Sequence, residues 1–192
     1  MKNVLILGAG GTIAGKVIDV LSGDGDIRLT LFLRNASRVK DRASAGCRII
    51  EGDVLDPNAL RKAMTRMDIV YANLAGDLET MARHITKVMD EKRVKRLIFI
   101  SSIGIYDKPL RPVLVPYRKA ADVIEASKTD YTILRPTWFT TADEVDYEIT
   151  RKGEPERGSV IAQKSLATFI ATIIRSPEKY VRENLGVNKP GS

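Results

Sequence analysis

Two groups of residues in this chain have the types and spacing to do chemistry. The first is Gly8-Ala9-Gly10-Gly11-Thr12-Ile13-Ala14-Gly15. It follows the short apolar segment Asn3–Leu7 and opens Thr12–Leu21, where Ile13, Val17, Val20 and Leu21 recur at helical spacing. In such a strand–loop–helix unit Gly8 permits the tight turn. Gly10 or Gly11 lets backbone approach a pyrophosphate with no Cβ in the way, and Gly15 is expected to let the helix pack closely on the strand. The anion would meet free N–H groups at the start of the helix, around Thr12 and Ile13. A second strand, Ile27–Leu33, follows directly, completing a dinucleotide-binding unit.

The second group, Arg34-Asn35-Ala36-Ser37-Arg38, stands at the end of that second strand. A site for the unphosphorylated dinucleotide usually places Asp or Glu there to accept from the ribose 2′-OH. A carboxylate would repel a 2′-phosphate, whereas Arg34 and Arg38, with Asn35 or Ser37, could hold one through charge-assisted bonds. The composition of this corner favours NADP(H) and leaves NAD(H) possible.

Positioning these groups requires a sheet. Arg48–Ile50 is a third strand, and Asn35–Ser44 before it is short, polar and helical. Pro57 suits the first turn of a helix over Asn58–Arg66, with Asp56 as its N-cap. Asp68–Leu74 reads as a fourth strand and Leu78–Lys92 as a helix with Met81, Ile85, Val88 and Met89 inward. Lys95–Ser101 is a fifth strand. A loop over 102–116 rich in Gly and Pro precedes a helix at Lys119–Ser127 and a sixth strand at Tyr131–Leu134. Leu166–Ile174 is a final amphipathic helix and Asn184–Ser192 reads as a loose tail, leaving 136–163 as the only room for a lid or substrate loops. This alternation predicts an α/β fold: a Rossmann-type doubly wound parallel sheet with helices on both faces, in one domain over 1–192.

With 192 residues the chain can bury a core without crosslinks, yet it leaves room for very little substrate domain. One Cys (Cys47) and one His (His84) exclude an intrachain disulfide and an all-Cys/His zinc site, so no metal is expected. His84, inside the helix at Leu78–Lys92, reads as a surface or partly packed residue. No apolar run approaches the ~20 residues of a membrane span. The amino-terminal run breaks at Gly8, too early for the ~7–15 residue core of a secretory signal, so a cytoplasmic protein is expected. The net charge of +7 needs an owner. Arg34, Arg38, Lys40, Arg42 and Arg48, relieved only by Asp41, crowd the expected 2′-phosphate. Lys92, Arg93, Lys95 and Arg96 follow a helix C-terminus, where cations complement the dipole. Neither cluster carries a nucleic-acid motif. The expected partners are an anionic cofactor and a small-molecule substrate, with no nucleic acid and no membrane, on a monomer or homodimer.

GAGGTIAG, FLRNASR, GDVLD, FISSIGIYD, DYTILRPTWF and SLATFIATII occur here in the order seen in atypical short-chain dehydrogenase/reductases. Over about residues 3–180 the chain resembles their small NAD(P)H-binding branch, near NmrA-like proteins and biliverdin/flavin reductases. The resemblance implies that Asp53 and Val54 flank the adenine and that Asn73, Leu74 and Ala75 lie along the ribose and pyrophosphate. It implies further that Ser101 and Ser102 end the fifth strand beside the nicotinamide, and that Pro136 and Thr137 approach the carboxamide.

Most reductases of this superfamily use a Tyr-x-x-x-Lys pair, whose members share a helical face so that the ammonium lowers the phenol pKa. Here Tyr117 is followed at that spacing by Ala121, Tyr106 by Leu110 and Tyr131 by Arg135; Lys119 lies two positions beyond Tyr117, about 200° around a helix. The pair is absent. Ser102, Tyr106, Tyr117 and Lys119 remain as candidate catalytic groups, acting from an irregular geometry. Tyr106, Trp138 and Phe139 either form an aromatic wall for a flat acceptor or, for the last two, simply pack the 136–163 segment. The leading expectation is hydride transfer from NADPH to a flavin, quinone or carbonyl. The alternative is a catalytically silent NmrA-like redox sensor acting through a protein partner. A nucleotide-sugar epimerase or dehydratase, suggested by SSIGIYD, ranks last because the chain is too short for its substrate domain.

Overall fold

Strands that must be buried on both faces need long apolar runs, and the first half of the chain supplies them. In the computed structural model, which describes residues 1–42 and 46–192, β1 (Lys2–Leu7) is an inner strand, flanked in parallel by β2 (Ile27–Leu33) and β4 (Ile69–Ala72). β3 (Arg48–Glu51) forms the edge beside β2. On the other side β5 (Arg96–Ile100) and β6 (Asp130–Pro136) continue the parallel sheet. The strand order reverses beside β1, between β1 and β4, which is where an open α/β sheet opens its ligand crevice.

Alternation along the strands decides which helix covers which face. Val4, Ile6, Tyr71, Ile98 and Leu134 pack against α1 (Thr12–Leu21) and α5 (Gln163–Arg175). Leu5, Leu7, Val70, Phe99 and Ile133 pack against α2 (Pro57–Ala63), α3 (Leu78–Lys92) and α4 (Val115–Glu125). Asp56 caps α2 as expected, its carboxylate accepting from the Asn58 amide at 2.8 Å. A 3₁₀ segment over Ala36–Arg42 replaces the short helix expected after β2; the expected end of that helix at Ser44 lies outside the described residues.

Two expectations for the C-terminal third are overturned. The expected tail contains β10 (Glu183–Asn188), an inner strand parallel to β6 and antiparallel to β8 (Glu148–Arg151). Its side chains alternate: Leu185 and Val187 join the α5-side core, while Asn184, Gly186 and Asn188 occupy the other face. The segment 136–163 is likewise not all loop. Besides β8 it holds β7 (Trp138–Thr140) and β9 (Val160–Ala162), paired in parallel as a separate two-stranded sheet. α4 also starts earlier than expected, at Val115, so Tyr117 and Lys119 both lie in its first turns.

Candidate active site

The carboxyl ends of β1, β2, β3 and β4 surround a cleft of about 660 Å³. Its floor is the glycine loop. Gly8 has φ +78°, and a Cβ there would sit 2.1 Å from the carbonyl oxygen of Asn73, so the turn both needs a left-handed backbone and presses against β4's exit. The Gly8 and Ala9 amides donate to Phe32 O at 3.0 and 3.3 Å, tying the loop to β2. Gly10 differs: a Cβ would find only the side chains of Leu33 and Arg38, at 3.4 and 3.6 Å, so its bare backbone faces the cleft itself. The expected role of Gly15 is corrected. A Cβ there would meet nothing within 4 Å, and the fully buried small residue of the first turn is Ala14, three positions after Gly11. α1 starts with Gly11 as N-cap, with no side-chain cap and no acid in its first turn. Its free amides and the positive end of its dipole are left for an anion.

The ribose end of the cleft is basic. Arg34, Asn35 and Arg38 line it, and among the described residues neither arginine forms an ion pair. Arg42, by contrast, is paired with Asp19. The nearby Glu51 accepts from the Ala36 amide at 2.8 Å. Asn35 and Ser37 form a local turn in which the Ser37 amide and hydroxyl donate to Asn35 Oδ1 at 3.0 and 2.6 Å. Ser37 thus shapes the corner without lining it. Asp53 and Val54 line the cleft, with Asp53 Oδ1 accepting from the Leu55 amide at 2.9 Å. Asn73, Leu74 and Ala75 line it too, as do Gly8, Gly10, Gly11, Thr12 and Ile13.

Sequence reasoning missed Phe32, Leu33, Gly52, Met81 and Gln163, all of which line the cleft. Gly52 was legible as a glycine at a strand exit, and Met81 as an inward residue of α3. Gln163 was hidden because α5 begins three residues before the expected helix.

The reactant end departs further from expectation. Ser101, Pro136 and Thr137 do not line the cleft. Ser101 is buried at the exit of β5, its amide bonded to Leu134 O at 2.7 Å and its hydroxyl without a partner among the described residues. The Thr137 amide is fastened to Val187 O at 3.1 Å by the strand not foreseen, β10. None of Ser102, Tyr106, Tyr117 and Lys119 lines the cleft either. Lys119 is ion-paired with Glu79 at 3.1 Å, and Tyr117 packs partly buried against the α3–α4 core. Tyr106 turns away to meet Glu125 Oε1 at 3.1 Å and Asn184 Nδ2 at 2.7 Å. Burial and the Glu125 carboxylate push its phenol well above the usual tyrosine range, so it holds its proton. Of the three aromatics considered as a wall, only Phe139 borders the cleft; Trp138 is 71% exposed. His84 sits partly buried on α3, Nδ1 3.4 Å from Val54 O. Among the described residues no group of three or more His, Cys, Asp or Glu could hold a metal ion. No helix there is long and apolar enough to cross a membrane.

A bare-backbone floor, an uncapped helix N-terminus and two arginines without an ion pair among the described residues, at the crevice of a reversing parallel sheet, define a dinucleotide-binding Rossmann protein. A sequence profile described as NAD(P)H-binding matches residues 8–177, and the chain belongs to that family. A Rossmann-fold NAD(P)-binding family protein from Shigella flexneri superposes with a TM-score of 0.92 at 48% identity, covering 100% of this chain and 95% of that one. A wide-type short-chain dehydrogenase/reductase from Veillonella parvula, solved with NADP, gives 0.90 at 26% identity, covering 99% and 95%. Protein YmjC of Escherichia coli (strain K12) is 54% identical over 39 residues, a match that spans 20% of this chain and 65% of that protein.

Proposed function

We propose that this chain is an NADPH-dependent reductase that passes a hydride to a small, flat acceptor such as a flavin, a quinone or a compact conjugated carbonyl. The observation that carries the cofactor half is the basic corner: Arg34 and Arg38 line the cleft with no carboxylate paired to either among the described residues. Gly10 keeps the floor clear for a pyrophosphate, and the amides of α1 are free to receive it. The NADP held by the Veillonella parvula relative supports the same preference. When bound, NADPH supplies the hydride from its nicotinamide ring.

The acceptor half rests on what borders the cleft and what does not. Phe139, 46% exposed, offers an aromatic ring to the cleft, and Gln163, which also lines it, a polar handle. Tyr106 and Lys119 are engaged elsewhere, so the site presents no fixed phenol for protonating an isolated carbonyl. An acceptor that delocalises the added electrons can take its proton from water. This reading carries with it a small-molecule partner, no nucleic acid or membrane, a monomer or homodimer, and a cytoplasmic location. The same engaged groups favour a second reading, a cofactor-binding redox sensor that signals through a protein partner.

Mixing the purified protein with NADPH or NADH and a panel of flavins, quinones and carbonyls, and following cofactor absorbance, separates the two. NADPH oxidation with a flat acceptor well above the buffer rate is the expected result. Tight NADPH binding with no turnover across the panel selects the sensor. Faster turnover with NADH than with NADPH overturns the reading of the arginines.

A further inference from the structure

The arginine of the DYTILRPTWF segment has no part in the cleft, yet it is 1% exposed. Strand alternation places Tyr131, Ile133 and Arg135 on the α4 side of β6. On that side β10 presents Asn184, Gly186 and Asn188. An arginine side chain can lie across so small a neighbour: a Cβ on Gly186 would come within 3.5 Å of Arg135 Nη2. The guanidinium donates to the Asn184 carboxamide oxygen and, from Nε, to Glu156 Oε1 at 2.6 Å. Asn184 Nδ2 continues to Tyr106 and, at 2.8 Å, to Glu125, which Lys152 closes at 2.6 Å.

Glu156 is the unusual member. It comes from the mostly exposed turn between β8 and β9, and its side chain is 19% exposed. Its second oxygen, Oε2, accepts from the Gly104 amide at 2.8 Å. Gly104 is buried, has φ +80°, and lies two residues after Ser102. One carboxylate therefore bridges the exit loop of β5 to the end of β6. Those exits carry Ser101–Ser102 and Pro136–Thr137, at the carboxyl ends of β5 and β6 where an open sheet opens its ligand crevice, although none of the four lines the cleft. The exit loop has other fastenings: Ile103 N to Pro136 O at 3.1 Å, Asp107 N to Gly104 O at 3.2 Å, Arg118 Nη1 to Ile105 O at 3.5 Å, Tyr106 to Glu125 and Asn184, and Arg118 over the Tyr106 ring.

We propose that Glu156 is a positioning residue for the reaction: anchored on buried Arg135, it fixes the Ser102–Tyr106 loop against the cofactor's reactive end. The inference rests on the reductase reading for its kinetic consequence and on the Gly104 bond for its structural one. Glu156 touches neither the cleft floor nor the basic corner. Its loss therefore misplaces reacting groups without weakening the cofactor's hold.

The test compares the full-length protein with Glu156→Ala and Glu156→Gln. NADPH affinity is read by calorimetry, kcat and KM with the best acceptor of the panel, and amide hydrogen exchange at Gly104 and Ile105. The expected result for Glu156→Ala is a kcat lowered about 10- to 100-fold, with faster exchange at Gly104 and an NADPH Kd unchanged within about twofold. Glu156→Gln, which can still accept from one of its two donors, falls between. If the alanine variant does not fold, the glutamine variant carries the same readouts. Unaltered exchange at Gly104 overturns the proposal, as does unaltered kcat with accelerated exchange, or an NADPH affinity lost in step with kcat. A wild-type protein that reduces nothing in the panel instead removes the reductase reading. Exchange at Gly104 together with NADPH affinity then decides whether Glu156 holds the loop.

Discussion

The two ends of the sheet's carboxyl edge are built on opposite rules. The cofactor end, made from residues 8–75, is assembled from backbone and left electrostatically unfinished: an uncapped helix start and two arginines with no carboxylate paired to them among the described residues. The other end, made from residues 101–188 and assigned to the reactant on the reductase reading, is largely finished, the Ser101 and Thr150 hydroxyls and Asn188 Oδ1 being its buried exceptions among the described residues. Arg135, Glu156, Asn184, Tyr106, Glu125 and Lys152 consume one another's hydrogen-bonding capacity. An end that leaves charge unpaired is waiting for a ligand of the opposite sign. An end that pairs most of its groups within itself is a scaffold, and whatever reacts there brings its own polarity. Buried networks of the second kind hold a geometry at high cost if one member is lost, because the remainder is stranded away from water.

The contrast can be broken most directly at Arg135. Arg135→Met should cost about 3–5 kcal/mol of stability in urea unfolding, while the folded fraction keeps its NADPH Kd within about twofold. An equal loss of affinity would mean that the two ends are one unit. Next in size is Gly8→Ala, where backbone strain adds to the collision with Asn73 O. NADPH affinity should fall about 100-fold by calorimetry, equivalent to ~3 kcal/mol. Retained affinity would show that the loop can move aside. Arg34→Glu should be milder and selective, shifting the ratio of NADPH to NADH affinities about 10- to 100-fold toward the unphosphorylated form, the worth of one charge-assisted bond. Unchanged relative affinities would sink the assignment of the 2′-phosphate to this corner.

The smallest effect belongs to pH. Burial alone would raise the Glu125 carboxyl, but hydrogen bonds from Lys152 and Asn184, the Lys152 charge and the Tyr106 hydroxyl outweigh it and hold it below the usual carboxylate range. A folded-state value depressed in this way adds stability above the ordinary value of 4.5. That stability is lost as the pH falls below it toward the folded value. Glu125→Gln should flatten this part of the acid limb by about 1 kcal/mol, its side chain being 17% exposed. Urea midpoints at about pH 6 and about pH 3 measure it, and a limb of unchanged steepness in the variant would place the acid sensitivity elsewhere.

The same division explains what could be read from the residues alone. The cofactor end is local in sequence: Gly8 to Thr12, Arg34 to Arg38, and the exits of β3 and β4 each announce themselves within a few positions. Even there, Gly15 was misjudged for Ala14, because either spacing of small residues fits a tight loop and only burial separates them. The reactant end depends on partners far apart in the chain, such as Arg135 with Glu156 and Tyr106 with Asn184. No local pattern foretells such pairings. β10 was nonetheless visible as a two-residue alternation, Asn184-Leu185-Gly186-Val187-Asn188, with its polar members Asn184 and Asn188 met by Arg135, Glu125 and Glu148. Asn and Gly weigh toward turns in any reading by propensity, and here a buried polar neighbour overrides that preference.

The place of β10 between β6 and β8 has a consequence for the order in which the protein is made. β8 hydrogen-bonds to no strand but β10, and it leaves the ribosome well before it. Until Glu183–Asn188 emerge, β6 is the temporary rim of the sheet and Glu148–Arg151 has nothing to join. The nascent chain therefore passes through an interval with an open edge and an orphan strand, the moment when pairing with another copy competes with folding. The short, charged composition of that strand, Glu148-Ile149-Thr150-Arg151, makes it a poor template for such pairing.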